Sequence, residues 1–294
     1  MKIDKEKILK AGEITKEVRY YAQGIVKKGM PLLELAENIE ARILELGGKP
    51  AFPTNLSINE IAAHYTPGHD DKTLAHGLIK VDFGVHVDGW TADNSFSVDL
   101  DNIEENKILI DAANAALAKA LEVTKHGVST DEIGTEIHGI IEAGGCTPII
   151  NLCGHSMDRY ELHAGITIPN INDGRGTILR EGIYAIEPFA TLGSGKVRDG
   201  RPSNIYELQN EKSPRGSLAR EVLKFIIKEY STLPFCSRWI HKKFGARGVF
   251  ALGELEANGN LHQFAQLVEV SGAKVSQAEH TILIEKGKPI VTTM

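Results

Sequence analysis

The chain has 294 residues, 42% hydrophobic, 24% charged and 6% aromatic, the proportions of an ordinary globular protein. A chain of about 300 residues buries roughly 75% of its unfolded surface, enough for a large core without disulfides. Thirty-three basic against thirty-nine acidic residues leave a net charge of −6, which argues against a dedicated nucleic-acid binder, and no apolar run approaches the roughly 20 residues of a membrane span.

The opening MKIDKEKILKAGEITKE is too charged for a signal peptide. Cys146, Cys153 and Cys236 are odd in number and lack metal-finger spacing. A reducing, cytoplasmic setting is expected, where Asn55-Leu56-Ser57 meets no glycosylation enzyme. Residues 4–27 read as a helix, with Ile14, Val18, Ala22 and Ile25 on one face. Gly29 stops it, Pro31 suits the next helical turn, and Leu35, Ile39 and Ile43 carry a second helix to Gly47-Gly48. Two β-type runs, 78–87 and 90–98, flank Asp88-Gly89, a strong hairpin signal.

The same grammar returns from residue 104. A helix runs to Lys125, Gly127 breaks it, and Ser129 with Glu132 makes a capping-box pattern. Ile133, Ile137 and Ile141 then form a stripe that Gly144-Gly145 ends. At an offset of 98 residues, Gly29 matches Gly127, Leu35 matches Ile133, Ile39 matches Ile137, Ile43 matches Ile141 and Gly47 matches Gly145. Runs at 183–192 and 279–284 are the second pair of strands. This grammar predicts two α–α–β–β halves, the second interrupted by an insertion at about 194–264. Chance recurrence of glycine-punctuated helices is the alternative. The insertion carries twelve Lys/Arg and seven Asp/Glu, net +5, and the remainder carries −11. Leu218, Val222, Phe225 and Ile226 give it a helix, so a small helical, winged-helix-like subdomain is expected. Its charge is read first as a solvated surface, and second as a basic face for ribosomal RNA.

Asp82 lies in Val81-Asp82-Phe83-Gly84 and Asp93 in the following strand, yet Asp is a poor strand residue. If Val87 pairs with Trp90, Asp82 pairs with Ser95 and Asp93 is its diagonal neighbour on the same face, about 7–8 Å away. Two unpaired carboxylates there are costly to bury unless a divalent cation joins them. Glu187, in Ile183-Tyr184-Ala185-Ile186-Glu187-Pro188-Phe189, and Glu279, opening Glu279-His280-Thr281-Ile282, are their counterparts in the second half. A pseudo-twofold axis would gather all four. Four acids and an imidazole suit two hard or borderline divalent ions better than a structural zinc. His64, His155 and His163 compete for supporting roles. Cys153 is read as packing, and Gly193-Ser194-Gly195-Lys196 as a turn rather than a phosphate loop.

The succession AAHYTP at 62–67, VDFG at 81–84, Asp93, GHS at 154–156, LHAG at 162–165, AIEPF at 185–189 and EHTILI at 279–284 resembles the type 2 methionine aminopeptidases, in the short form of the archaea. The resemblance covers almost the whole chain. It implies the pita-bread fold of class α+β: a curved antiparallel sheet duplicated about a pseudo-twofold axis, with flanking helices. The catalytic domain is then 1–193 with 265–294, and 194–264 is the insertion that marks type 2. The resemblance makes Asp82 a terminal ligand of one metal, His155 and Glu187 ligands of the other, and Asp93 and Glu279 bridges between them. His64 and His163 match the substrate-contacting histidines, and Phe52 and Leu162 fall where the methionine pocket is lined.

The resemblance implies removal of the initiator methionine from nascent polypeptides with a small second residue. Two divalent ions (cobalt, manganese, iron or zinc) activate the water, and Glu187 shuttles the proton. It also implies a monomer. The rivals are the proline-directed peptidases of the same fold, which carry a larger extra N-terminal domain, and non-catalytic relatives that bind RNA or ribosomes and have lost ligands. Because Lys2 is long, the chain is expected to keep its own Met1. The intact mass of native protein checks this, and a mass lacking methionine contradicts it.

Overall fold

The computed structural model describes residues 3–294, so the expectation about Met1 lies outside the described residues. Two helices open the first half, α1 (Lys5–Ile25) and α2 (Leu32–Glu45). Strands β1 (Lys49–Pro50), β2 (Asn55–Ile58) and β3 (Ile61–Ala63) follow, then the hairpin of β4 (Leu78–Val87) and β5 (Trp90–Asp99). The second half opens with α3 (Glu104–Val123) and α4 (Thr130–Ala143). Next come β6 (Thr147–Pro148), β7 (Cys153–Met157), β8 (Thr167–Pro169), β9 (Gly182–Ile186) and β10 (Phe189–Thr191). The chain then runs through β11 (Val197–Leu208), α5 (Ser217–Tyr230), β12 (Phe235–Cys236), α6 (Ser237–Ala257) and β13 (Leu261–Glu269). It closes with β14 (Val275–Gln277), β15 (Glu279–Glu285) and β16 (Lys288–Val291).

The duplication is visible in the helices. Displaced by 98 residues, α2 coincides with α4. Gly29 and Gly127 have φ of +81° and +88°, and Gly47 and Gly145 have φ of +85° and +75°. These are left-handed positions that glycine fills without strain, so the matched glycines mark matched turns. The capping box at Ser129 forms, with the Ser129 N–H donating to Glu132 Oε1 at 3.1 Å.

One nine-stranded sheet joins the halves in the order β1-β4-β5-β15-β9-β7-β8, with β2 on β4 and β16 on β15. Every pairing in it is antiparallel. Each helix pair covers the same side. Leu35, Ile39 and Ile43 of α2 pack with Ile79, Val81, Phe83 and Val85 of β4. Ile133, Ile137 and Ile141 of α4 share a core with Tyr184, Ile186, Ile282 and Ile284. Strand side chains alternate between faces, so Lys80, Asp82 and Gly84 point away from the helices. The apolar neighbours of Asp82 therefore do not surround it but line the other side of its strand.

The expected strand over 183–192 is broken. β9 ends at Ile186 in the large sheet, and β10 begins at Phe189 in a separate three-stranded sheet with β14 and β6. Pro188 has no N–H to give a ladder and restricts the residue before it. Glu187 thus sits in a two-residue gap rather than inside a strand.

The chain between β10 and β14 builds a third core around Val222, Leu223, Ile226, Phe235, Ile240 and Leu252. Its strands β11 and β13 pair with each other, and β13 takes β3 of the first half as its other neighbour. Two polar clasps fix this part. Glu269 accepts from the backbone and hydroxyl of Ser194 and of Ser271, tying together its two ends. Buried Glu40 of α2 takes both guanidinium nitrogens of buried Arg238 at 2.7 and 2.9 Å, and also accepts from Trp239 Nε1 and the Thr54 N–H. Among the described residues no helix is long and apolar enough to cross a membrane. Removing one partner of a buried pair leaves an uncompensated charge. Glu40→Ala should therefore cost about 3–5 kcal/mol in urea unfolding, and Glu40→Leu with Arg238→Met should recover much of it. Equal losses in the single and double variants would contradict this.

Candidate active site

The hairpin fixes the first two carboxylates. Val87 pairs with Trp90 across Asp88-Gly89, so Asp82 stands opposite Ser95 and Asp93 opposite Gly84. The register continues on both sides. Asn55 faces Asp82 from β2, and Glu279, the first residue of β15, faces Ser95. Directly paired residues of antiparallel strands project to the same face. One row across four strands therefore reads Asn55, Asp82, Ser95, Glu279, with Asp93 two residues along from Ser95. His155 of β7 pairs with Ala185, and Ala185 pairs with Thr281, two residues beyond Glu279. All these side chains share the face turned from the helices.

Glu187 joins them from the gap after β9. His155 Nε2 lies 3.7 Å from both Asp93 Oδ2 and Glu187 Oε1. Asp93, His155 and Glu279 each offer a ligand atom within 4.8 Å of the other two. The nine residues that the sequence singles out, Phe52, His64, Asp82, Asp93, His155, Leu162, His163, Glu187 and Glu279, all line one cavity of about 360 Å³. Cys153 lines it too, with burial raising its thiol to about 11, the inert range for a thiol.

The electrostatics follow from crowding. Burial, opposed by a Gln277 hydrogen bond, pushes Asp82 up to about 7. Burial and then the charge of Asp82 push Asp93 well above the carboxylate range. Burial, Asp93 and Asp82 do the same to Glu187, and burial, Asp93 and Glu187 to Glu279, with Arg19 opposing. Burial and then His163 drive His155 down to about 3, so its imidazole is neutral. Asp82 Oδ1 and His155 Nδ1 are buried without a hydrogen-bond partner. Buried acids that repel one another, beside an unpaired carboxylate oxygen and a neutral imidazole, are the donor set of divalent-cation sites.

The histidines differ in setting. His163 meets the His155 ring edge-on, with centroids 4.5 Å apart. His64 has φ of +63°, a strained conformation for a non-glycine residue. Its Nδ1 is 3.3 Å from the Ala265 carbonyl, and burial lowers its pKa to about 4. His280, beside Glu279, faces the opposite way and bonds Thr293 Oγ1 at 2.8 Å.

Sequence reasoning missed several residues. The Thr281 hydroxyl accepts from the Asp93 N–H at 2.7 Å and donates to the Asp93 carbonyl at 2.9 Å. Alternation along Glu279-His280-Thr281 could have found it. Gly84 and Gly154 make room: a Cβ would meet the Phe52 ring at the first and the Ala185 carbonyl at the second. Arg19 donates to Asn94 Oδ1 and the Ser95 carbonyl from the helix side. Ile205, Pro234, Phe264 and Leu267 complete the apolar wall, and no local signal marks them.

The model of metallopeptidase family M24 matches residues 6–243. The chain is 46% identical to the methionine aminopeptidase of Pyrococcus horikoshii, over 99% of this chain and 100% of that one. Among solved structures, a thermophilic Arx1 aligns with a TM-score of 0.86 at 17% identity, over 99% of this chain and 91% of that one. The methionine aminopeptidase of Thermotoga maritima aligns with 0.71 at 21% identity, over 99% and 98%. Both likenesses support the fold.

Asp82 gives a pH test in metal-free protein. Its raised pKa costs nothing below the ordinary carboxyl value near 4 and costs most above pH 7, where the buried group ionises. Asp82→Asn should melt with the parent at pH 4 and several degrees above it at pH 8. A melting difference independent of pH would contradict this.

Proposed function

The chain belongs to metallopeptidase family M24, and from that premise we propose that it removes the amino-terminal methionine of newly made polypeptides, preferring a small second residue. The observation that carries the reading is the convergence of Asp82, Asp93, His155, Glu187 and Glu279 in one cavity. Relatives across several archaea, of which this chain spans nearly the full length, carry the name methionine aminopeptidase.

Asp82, Asp93, His155, Glu187 and Glu279 would hold two divalent ions, Asp82 serving one, His155 and Glu187 the other, and Asp93 and Glu279 both. Four carboxylates balance two dications, whether cobalt, manganese, iron or zinc. When bound, the ions supply Lewis acidity and make water more acidic. The residues do the rest. Glu187 takes a proton from water at a carboxylate oxygen and returns it to the leaving amine. Neutral His163 donates toward the carbonyl oxygen of the first peptide bond, and His64 orients the scissile amide. Phe52 and Leu162, both buried and in one apolar cluster, receive the thioether side chain.

The residues 194–264 form, in this reading, a subdomain that walls the cavity. Its net charge of +5 favours passing contact with ribosomal RNA. The protein works as a cytoplasmic monomer.

The test is methionine release from Met-Ala-Ser after chelation and re-addition of cobalt, manganese, iron or zinc singly, with Ala-Pro-Ala as the rival substrate. Activity should return with metal on Met-Ala-Ser alone. Asp93→Asn should lose about 100-fold or more, beyond the 10–100-fold typical of outer-shell changes. Cleavage of Ala-Pro-Ala instead, or silence of folded protein with every metal, would overturn the reading.

A further inference from the structure

Gln277 lies two residues before Glu279, at the end of β14, and is buried. Its backbone is pinned to β5: the Gln277 N–H donates to Ser97 Oγ at 2.9 Å, and that hydroxyl donates to the Gln277 carbonyl at 2.8 Å. Its side chain faces the acid cluster. Nε2 donates to Glu187 Oε2 at 3.3 Å, and the amide also favours the ionised form of Asp82, whose strand β4 packs against β14. Carboxylates only accept, so the nitrogen end of the amide must face them. Oε1 is left buried with no partner, an unfavourable arrangement that shows which end of the amide sets its orientation.

Glu187 is met by the amide on one oxygen and left open on the other. Glu187 gives Oε2 to Gln277 and turns Oε1 toward His155 Nε2, while Asp82 Oδ1 has no partner. An amide –NH2 has two hydrogens and no charge. It can hold a carboxylate without neutralising it and leave all four acids free to balance two dications. A lysine or arginine there would neutralise one ligand and compete with the ion. Lys80, which points to the same face, turns its ammonium to the Asn59 carbonyl at 2.7 Å instead.

We propose that Gln277 is a positioning residue that holds Oε2 of Glu187, so that this carboxylate keeps its free oxygen Oε1 turned toward His155 and the ion the two would share. This rests on the metallopeptidase reading.

The test is calorimetric titration of Mn²⁺ into chelator-stripped, full-length protein, comparing the parent with Gln277→Met, which keeps the length and removes the donor. Mn²⁺ affinity should fall 10–100-fold, the range for lost outer-shell hydrogen bonds. At saturating Mn²⁺, kcat on Met-Ala-Ser should fall while KM stays within about threefold, the mark of an interaction made at the reacting centre. A merely structural residue would lower the melting temperature of metal-free protein and leave Mn²⁺ affinity alone. That outcome, in folded variant, overturns the proposal by itself. If the parent takes up no Mn²⁺, the metallopeptidase reading falls and the proposal with it. If Gln277→Met does not fold, Gln277→Asn, which withdraws the amide by one methylene, must show the same loss of affinity.

Discussion

Mutual repulsion among four carboxyl groups is the constraint on which the rest of this structure turns. Asp82, Asp93, Glu187 and Glu279 share one cavity with a neutral imidazole, and each is pushed above the ordinary carboxylate range by burial. Groups that repel drift apart unless a rigid frame holds them, and in the interior they keep their protons unless cations replace those protons. The nine-stranded sheet is that frame. Its central strands fix three of the acids by register, and Thr281 and Ser97 pin the strands that carry them.

Duplication gives the frame its symmetry. Each half lays two helices against one face and leaves the other face for the acids, so the apolar cores and the polar cavity lie on opposite sides of a single sheet. The chain between β10 and β14 closes the cavity with Ile205, Pro234 and Phe264. It is held by polar clasps at Glu269 and Glu40 rather than by the sheet itself. Part of the cavity wall thus comes from one part of the chain and the acids from another.

Much of this was legible in the sequence, because the signals were local. Asp88-Gly89 fixes the hairpin register, and through it the relation of Asp82 to Asp93. The 98-residue offset predicts matched helices because glycine at a left-handed turn leaves its mark in the sequence. The resemblance to the type 2 methionine aminopeptidases named nine of the residues that line the cavity. What stayed hidden depends on partners distant in the chain. Glu40 looks like one more polar residue of an amphipathic helix until Arg238, 198 positions away, is packed against it. Gln277 gains its meaning only beside Glu187, 90 positions earlier. The break at Glu187-Pro188 was hidden for a different reason: apolar residues on both sides read as one strand, although they belong to two sheets.

The account stands or falls on cations replacing protons in the acid cluster. The direct measurement is the number of Mn²⁺ ions retained per chain at equilibrium, together with the protons released as they bind at pH 6.5. The account predicts two ions per chain and a net release of protons. Retention of less than one ion, or binding without proton release, would contradict it.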